Sequence, residues 1–499
     1  MVPVNKIKIV TPQSEQVLET VSGLSLLDII RTAGIKFYAP CGGKGKCGKC
    51  RVRIKNEGEV MACGYYPAAD IEVFIPGDAE ANILVHQSKY LVDLPFNQAA
   101  GHSLTDASIG VAIDIGTTTV VLYFLNLLSG RIEKISSFLN PQRLYGADVI
   151  TRITYCQEHK SGLSELQKSI VNAINDDLDL FLLNHKLHHG NIEEVIIAGN
   201  TTMLHLIFGE DPVPIALAPF KPVFLDKQVR NGDATGLHVN SAANVITLPG
   251  IAAFVGADIV AGLAALKPVK GNYLFLDIGT NGEMALIAGD RIITCATAAG
   301  PAFEGANISC GMAALTGAVS VFSGPGKYQV IGNAEPIGIC GSGLVDIVAY
   351  MVSNDIIDET GRLEETFYIN QENNIYINQQ DIREMQLAKS AVYSGIKILT
   401  DEAGFTFNDI DGLYLAGGFG NYINIESAIK TGLLPCELKD RIYAVGNSAV
   451  IGAFQFLKAD EFEILIDTVL QKAAYIELSS IENFATEFAM NMNFKKILI

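Results

Sequence analysis

The amino-acid sequence predicts two unlike units on one 499-residue chain: a small α+β unit at the N-terminus and a much larger, duplicated α/β unit behind it. Three observations carry this reading. Short alternating strands and one amphipathic helix surround four cysteines that crowd into 23 residues, from Cys41 to Cys63. A strand–DIGT–strand pattern occurs twice, from Gly110 and again from Asn272. Segments of helical periodicity lie between the remaining apolar strands.

Taken in order, Lys6 to Val10 and Gln16 to Val21 alternate as strands, Leu24 to Thr32 repeats apolar residues at helical spacing, and Ile71 to Pro76 reads as a closing strand. Hairpin, helix, cysteine loop and strands in that order fit a β-grasp ferredoxin over residues 1–77. Residues 78–108, with Asn97, Gly101, His102 and Ser103 and weak periodicity, read as a linker whose flexibility would let the small unit move.

The repeat constrains the architecture of the larger unit more than any single motif. GVAIDIGTTTVVLYFLNLLSGRI and NYLFLDIGTNGEMALIAGDRI are both strand, DIGT turn, strand and hairpin turn. Each is followed by an apolar run ending in a glycine turn, EVIIAGNTT with Gly199 and GLYLAGGFG with Gly417, Gly418 and Gly420. The halves are placed at residues 109–270 and 271–499, with helices expected at Leu163 to Leu183, Ala388 to Leu399 and Ala449 to Phe456.

Composition excludes several classes of function. A formal charge of −18 opposes binding to phosphate backbones, so nucleic acid is not an expected partner. The N-terminal residues lack the apolar core of a secretion signal, and Asp114, Asp258 and Asp277 interrupt the most apolar runs. A cytoplasmic protein without a membrane partner is expected, and its nine cysteines then read as thiols or metal ligands rather than disulfides.

Cys41, Cys47, Cys50 and Cys63 form a C-x5-C-x2-C-x12-C pattern. Four thiolates satisfy an iron-sulfur cluster, and Gly42, Gly43, Gly45 and Gly48 let the loop wrap it closely. Zinc is the competing reading, but it favours paired CxxC knuckles. Matches to GxxxxGK and GxGxxG inside this loop are discarded: Cys50 stands where a P-loop needs Ser or Thr, and neither match opens a helix after a buried strand. Cys156, Cys295, Cys310, Cys340 and Cys436 are scattered and read as ordinary thiols.

Each DIGT places a carboxylate at a strand end and hydroxyls in the next turn, a pairing that suits phosphate and Mg2+. One copy would be no more than a hairpin with a capping Asp; two copies, each with a later glycine turn, read as a phosphate clamp. The candidates are Asp114, Gly116, Thr117, Thr118 and Thr119 in the first turn, and Asp277, Gly279, Thr280, Asn281 and Gly282 in the second. Gly199, Asn200, Gly343, Gly417 and Gly418 are candidate nucleotide contacts. Asp148, Gln142 and Glu304 are candidates to position water or metal, and each is equally readable as a helix cap or surface group. His205, in an apolar stretch, reads as a core histidine.

The DIGT repeat with its AGN and AGG turns resembles the actin, sugar-kinase and acetate-kinase superfamily of ATPases. NPQRLYGADVITRI, AGNTTMLHLIFGEDP, LDIGTNGEM, GPAFEGANISCGM, PIGICGSGLVDI, YLAGGFG and GNSAVIGA, with the cysteine loop, resemble one branch over nearly the whole chain: the reductive activators of corrinoid proteins. The resemblance implies a 2Fe-2S ferredoxin domain on an actin-like (ribonuclease H-like) ATPase that binds ATP and Mg2+. It further implies reduction of a Co(II) corrinoid to methyl-accepting Co(I) in a methyltransferase system, with an upstream electron donor and a homodimer as a compatible assembly. Two departures stand out: the x12 interval before Cys63 is shorter than in plant-type ferredoxins, and the 78–108 linker is short for the family. An activator of another low-potential enzyme, a redox-sensing small-molecule kinase and a non-enzymatic electron carrier remain open on sequence.

Overall fold

The computed structural model describes residues 4–11, 15–21, 23–33, 35, 37, 43, 45, 50–55, 57–75, 88–96, 107–267 and 270–495. At the N-terminus β1 (Val4–Val10) and β2 (Glu15–Val21) form a hairpin, followed by α1 (Leu26–Thr32), β3 (Arg51–Ile54), β4 (Gly58–Met61) and β5 (Ile71–Phe74). The sheet order is β2-β1-β5-β3-β4, with β1 and β5 parallel at its centre. Strand alternation puts Ile7 and Ile9 on the face that α1 covers with Leu26, Leu27, Ile29 and Ile30, while Lys6 and Lys8 point away from that core. Ser25 starts the helix by accepting a hydrogen bond from the Asp28 amide.

The first half of the larger unit comprises β6 (Ile109–Ile115), β7 (Thr119–Asn126), β8 (Ile132–Leu139), α2 (Val149–Glu158), α3 (Gly162–His185), β9 (Ile192–Gly199), α4 (Thr201–Phe208), α5 (Val213–Ala216), β10 (Gln228–Asn231), β11 (Asn244–Thr247) and α6 (Ala257–Ala265). The second begins with β12 (Asn272–Ile278), β13 (Gly282–Ala288) and β14 (Arg291–Thr297). A small sheet of β15 (Ala318–Gly324), β16 (Lys327–Val330) and β17 (Gly338–Ile339) comes next, then α7 (Gly341–Ser353), the hairpin β18 (Phe367–Asn370) and β19 (Ile375–Ile377), and α8 (Gln379–Glu402). It ends with β20 (Gly412–Ala416), α9 (Gly417–Tyr422), α10 (Ile425–Lys430), β21 (Ile442–Gly446), α11 (Ser448–Lys458), α12 (Glu461–Lys472), β22 (Ala473–Tyr475) and α13 (Phe484–Met490).

The two large sheets, β10-β11-β9-β6-β7-β8 and β21-β20-β12-β13-β14-β22, share one plan. In each, the strand ending in DIGT pairs antiparallel with the next strand and parallel with the strand ending in Ala-Gly. Register makes the equivalence explicit: Asp114 lies opposite Ala198, and Asp277 opposite Ala416. Every residue of β6 is buried, which is why its sequence is an apolar run instead of an alternation.

Three features differ from the sequence expectations. The helix expected at Ala388 to Leu399 is α8, which starts earlier because Asn378 and Asp381 form a capping box ahead of the apolar stripe. The AGGFG segment is not an open turn: β20 passes directly into α9 at Gly417. Part of the 78–108 segment packs on the larger unit, where Leu91 is buried, the Val92 amide donates to Ala265 and the Leu94 amide donates to Gln455. Helix α11 lies against β6 and β9 of the first sheet and crosses α6, so one core joins the first sheet, α6 and α11 to Phe275, Ala285 and Tyr414 of the second sheet. Among the described residues no helix is long and apolar enough to cross a membrane.

Candidate functional site

In the small domain, Cys50 leads into β3 and Cys63 sits in the 3-10 turn after β4; the Ala62 amide donates to the Cys50 carbonyl and draws the two together. Their sulfurs are 3.2 Å apart and both residues are buried. Gly43 has φ of 95° and lies beside Leu27 and Cys63, where a Cβ would come 3.1 Å from Leu27 Cδ2 and 3.9 Å from Cys63 Cβ. Two converging buried thiols suit an all-thiolate cluster. Cys41 and Cys47 lie outside the described residues.

In the larger domain, Asp114 at the end of β6 and Asp277 at the end of β12 lie close enough for their charges to interact, at the carboxyl ends of parallel strands where open α/β sheets bind ligands. Asp258 in the first turn of α6, Glu283 on β13 and Glu304 join them. Glu304 bridges the two halves: its Oε1 accepts from Thr118 at 2.8 Å and its Oε2 accepts from Thr280. Asn447, the cap of α11, donates to Asp114 Oδ2 at 2.7 Å.

The crowding has an electrostatic signature. Burial pushes Asp114 up to about 7, with the charge of Asp277 adding to the rise and the Asn447 hydrogen bond opposing it. Burial and the Glu304 charge push Asp277 up to about 6. Asp258 rises to about 8 from burial and from the charges of Asp277 and Asp114. Burial and the same three aspartates raise Glu283, and burial raises Glu304 against the pull of its two threonine bonds. Among the described residues no Lys or Arg forms an ion pair with Asp114, Asp258, Asp277 or Glu283. These carboxylates gather negative charge without a cation, the chemistry a hard divalent ion beside phosphates needs, although no three of their oxygens converge within 4.8 Å of one another.

The turns behind the aspartates are built from within. The Gly116 amide donates to the Thr119 carbonyl and the Gly279 amide to the Asn281 carbonyl, both at 2.9 Å. Gly199 ends β9, and Asn200 caps α4 while donating to Thr117 Oγ1 at 3.2 Å. Gly417 has φ of 77°, and a Cβ on it would lie 2.4 Å from Asp277 Oδ1, so only glycine lets β20 approach that carboxylate. Gly418 is exposed and faces open space. Gly282 is buried on Thr297.

Other candidates sit elsewhere or are otherwise engaged. Gly343 lies in the first turn of α7 with Val319 and Ile339 as neighbours. Asp148 caps α2 by accepting the Thr151 amide at 2.7 Å, and Gln142 donates to the Leu166 carbonyl from a buried position. His205 is buried between the Thr201 carbonyl and the Val223 amide and stacks on Phe224, a core histidine as expected.

Sequence reasoning missed Asp258, Glu283, Asn447 and Arg152 as site residues. Glu283 directly follows DIGTNG, and Asp258 interrupts an apolar helix, so both carried a visible signal. Asn447 and Arg152 are brought in only by tertiary packing.

Comparisons with known proteins match three separate stretches of the chain. Residues 10–71 match a domain family described as a 2Fe-2S iron-sulfur cluster binding domain. Residues 109–268 match the RACo middle region, and residues 271–497 match the C-terminal domain of RACo, the ASKHA domain. The chain is similar to the corrinoid activation enzyme RamQ of Eubacterium limosum, 28% identical with 98% of this chain and 99% of that protein covered. It is 26% identical to the [Co(II) methylated amine-specific corrinoid protein] reductase of Methanosarcina barkeri, with 68% of each covered. A solved structure titled reductive activator for corrinoid, iron-sulfur protein superposes with a TM-score of 0.71 at 28% identity, covering 98% of both chains.

Proposed function

Because this chain belongs to the reductive activators of corrinoid proteins, we propose that it uses ATP to deliver one electron to the Co(II) corrinoid of a partner protein, restoring the Co(I) form that accepts methyl groups. The observation that carries this reading is the pairing, on one chain, of two buried cysteine sulfurs 3.2 Å apart with a duplicated carboxylate cleft.

Cys41, Cys47, Cys50 and Cys63 would hold the 2Fe-2S cluster, which supplies one-electron transfer when bound. The turns after Asp114 and Asp277 would hold the nucleotide's phosphates through Gly116, Thr117, Thr118, Thr119, Gly279, Thr280 and Asn281. Asp114 and Asp277, with Asp258 and Glu283 behind them, would hold Mg2+. Glu304 ties one threonine of each turn, so it senses whether the halves are open or closed.

The energetic case for joining the domains is a matter of magnitudes. Plant-type clusters lie near about −400 mV, and the family's corrinoid target is harder to reduce. A shortfall of about 100 mV costs roughly 2.3 kcal/mol for one electron, and coupling between linked sites is typically about 1–3 kcal/mol. Closure on nucleotide is therefore of the right size to offset the deficit by changing how the partner is held. Each Co(II) reduced takes one electron from the chain, so an upstream one-electron donor must replace it.

The test monitors the visible spectrum of a Co(II) corrinoid protein mixed with the anaerobic, cluster-loaded chain, a reductant and Mg-ATP. Conversion to Co(I) that needs ATP supports the reading. Equal conversion without ATP, or by Asp277→Ala with ATP, refutes it.

A further inference from the structure

We infer that Arg31 is a latch that docks the ferredoxin domain onto the first phosphate turn, so that the nucleotide state controls whether the cluster domain is held or released. This inference rests on the ATP-dependent reading above and adds to it the contact through which the two domains communicate.

Arg31 stands in the last turn of α1, the helix whose Leu27 lies under Gly43 of the cysteine loop. Its guanidinium spans both domains: Nη1 lies 3.8 Å from Asp28 Oδ1 of its own helix, Nη2 donates to the Leu144 carbonyl of the larger domain, and Cζ sits 5.7 Å from the Tyr145 ring centroid. Tyr145 packs on Tyr155 with ring centroids 5.0 Å apart, and Tyr155 donates to Glu165. The receptor is thus an aromatic notch with a carboxylate at its back, the surroundings that suit a planar guanidinium.

The notch hangs from the phosphate turn. Leu144 and Tyr145 end a 3-10 turn capped by Asn140. The Asn140 amide donates to the Thr118 carbonyl and its Nδ2 to the Gly116 carbonyl, both at 2.8 Å. Arg152, fully buried, closes the loop from the other side: Nη2 donates to the Thr117 carbonyl and Nε to the Gly146 carbonyl at 3.0 Å. Three successive carbonyls of the turn proposed to receive phosphate are therefore bonded to the residues that bracket the Arg31 socket. Thr118 also binds Glu304, which binds Thr280 of the other half, so opening or closing the cleft pulls on the same turn.

The latch is also poised to open. Arg31 Nε is buried with no hydrogen-bond partner among the described residues. Undocking returns that donor to water, which lowers the cost of releasing Arg31.

Hydrogen exchange on the cluster-loaded chain, with and without a Mg2+-bound non-hydrolysable ATP analogue, tests this. In the native chain nucleotide should change exchange at residues 26–33 and 141–146 together, by about fivefold or more. Arg31→Ala, with its cluster absorption intact and nucleotide still bound by calorimetry, should keep the response at 141–146 and lose it at 26–33. Tyr145→Leu should weaken the 26–33 response from the other side of the contact, and Arg31→Lys should restore only part of it. A native chain that binds nucleotide without any change at 26–33, or an Arg31→Ala chain whose 26–33 response equals the native one, overturns the latch while leaving ATP-dependent reduction standing. Absence of nucleotide binding removes both.

Discussion

The two DIGT corners start from one plan and are anchored differently. At Asp114 the carbonyls of Gly116, Thr117 and Thr118 are each held by Asn140 or Arg152, and Asn200 reaches Thr117. At Asp277 the described turn bonds are the Gly279 amide to Asn281 and the Thr280 hydroxyl to Glu304. The partner strands diverge as well: Val121 lies opposite Asp114, whereas Glu283 lies opposite Asp277. The first corner is thus tied to the protein around it, including the segment that Arg31 grips, and the second has fewer such ties. The two corners share a carboxylate at a strand end and differ in what holds the backs of their turns.

The sharpest way to break this comparison is Asp277→Ala. It should lower ATP-dependent corrinoid reduction by at least about 100-fold, the scale seen when one preorganised electrostatic group is removed, with the cluster's visible spectrum unchanged. Arg152→Met acts on the tied corner and should cost stability first: it strands the carbonyls of half-buried Thr117 and buried Gly146, the latter worth about 1–3 kcal/mol, measured by denaturant melts of the larger domain.

Gly417→Ala and Asn200→Ala change successive positions after the paired strands, since Gly417 matches Gly199 and Asn200 is the residue that follows it. The first forces a Cβ against Asp277 at a positive φ, at a cost of about 1–3 kcal/mol, and should appear chiefly as weaker nucleotide binding in calorimetry. The second removes a helix cap worth about 1 kcal/mol and should appear chiefly as a lower melting temperature. Equal partition of both effects would erase the distinction between corners.

The gentlest probe is pH. Asp277, Asp114 and Asp258 are raised from 3.8 to about 6, 7 and 8 in the folded chain. Raised carboxylates favour the folded state fully below their unfolded value and lose that contribution as pH rises through the folded values. The nucleotide-free chain should therefore lose stability between about pH 4 and 8, and Mg-nucleotide should flatten the slope. A flat profile without ligand would mean that the cleft does not confine its charges as the geometry implies.

Much of the site was legible because its chemistry is local. Asp114 and Asp277 are marked by identical four-residue words at strand ends, and the register of Ala198 and Ala416 bears out the equivalence those words suggested. Asp258 was read only as a break in an apolar run, because nothing local says that α6 points its first turn at both aspartates. Arg152 carried no local signal, yet it is among the largest fully buried side chains. Asp148, legible as either cap or catalyst, is occupied as a cap.

By itself the sequence determined the element types, the cysteine loop and the duplication, since each depends on spacing within one segment: alternation for strands, helical periodicity, and glycines where the backbone must turn. Only the tertiary structure decided which carboxylates share a cleft, that α11 returns to cover the first sheet, and that Arg31 reaches Leu144 across the domains. Those contacts join residues far apart in the chain, and their energies come from burial and charge proximity, which exist only once the separate segments have packed.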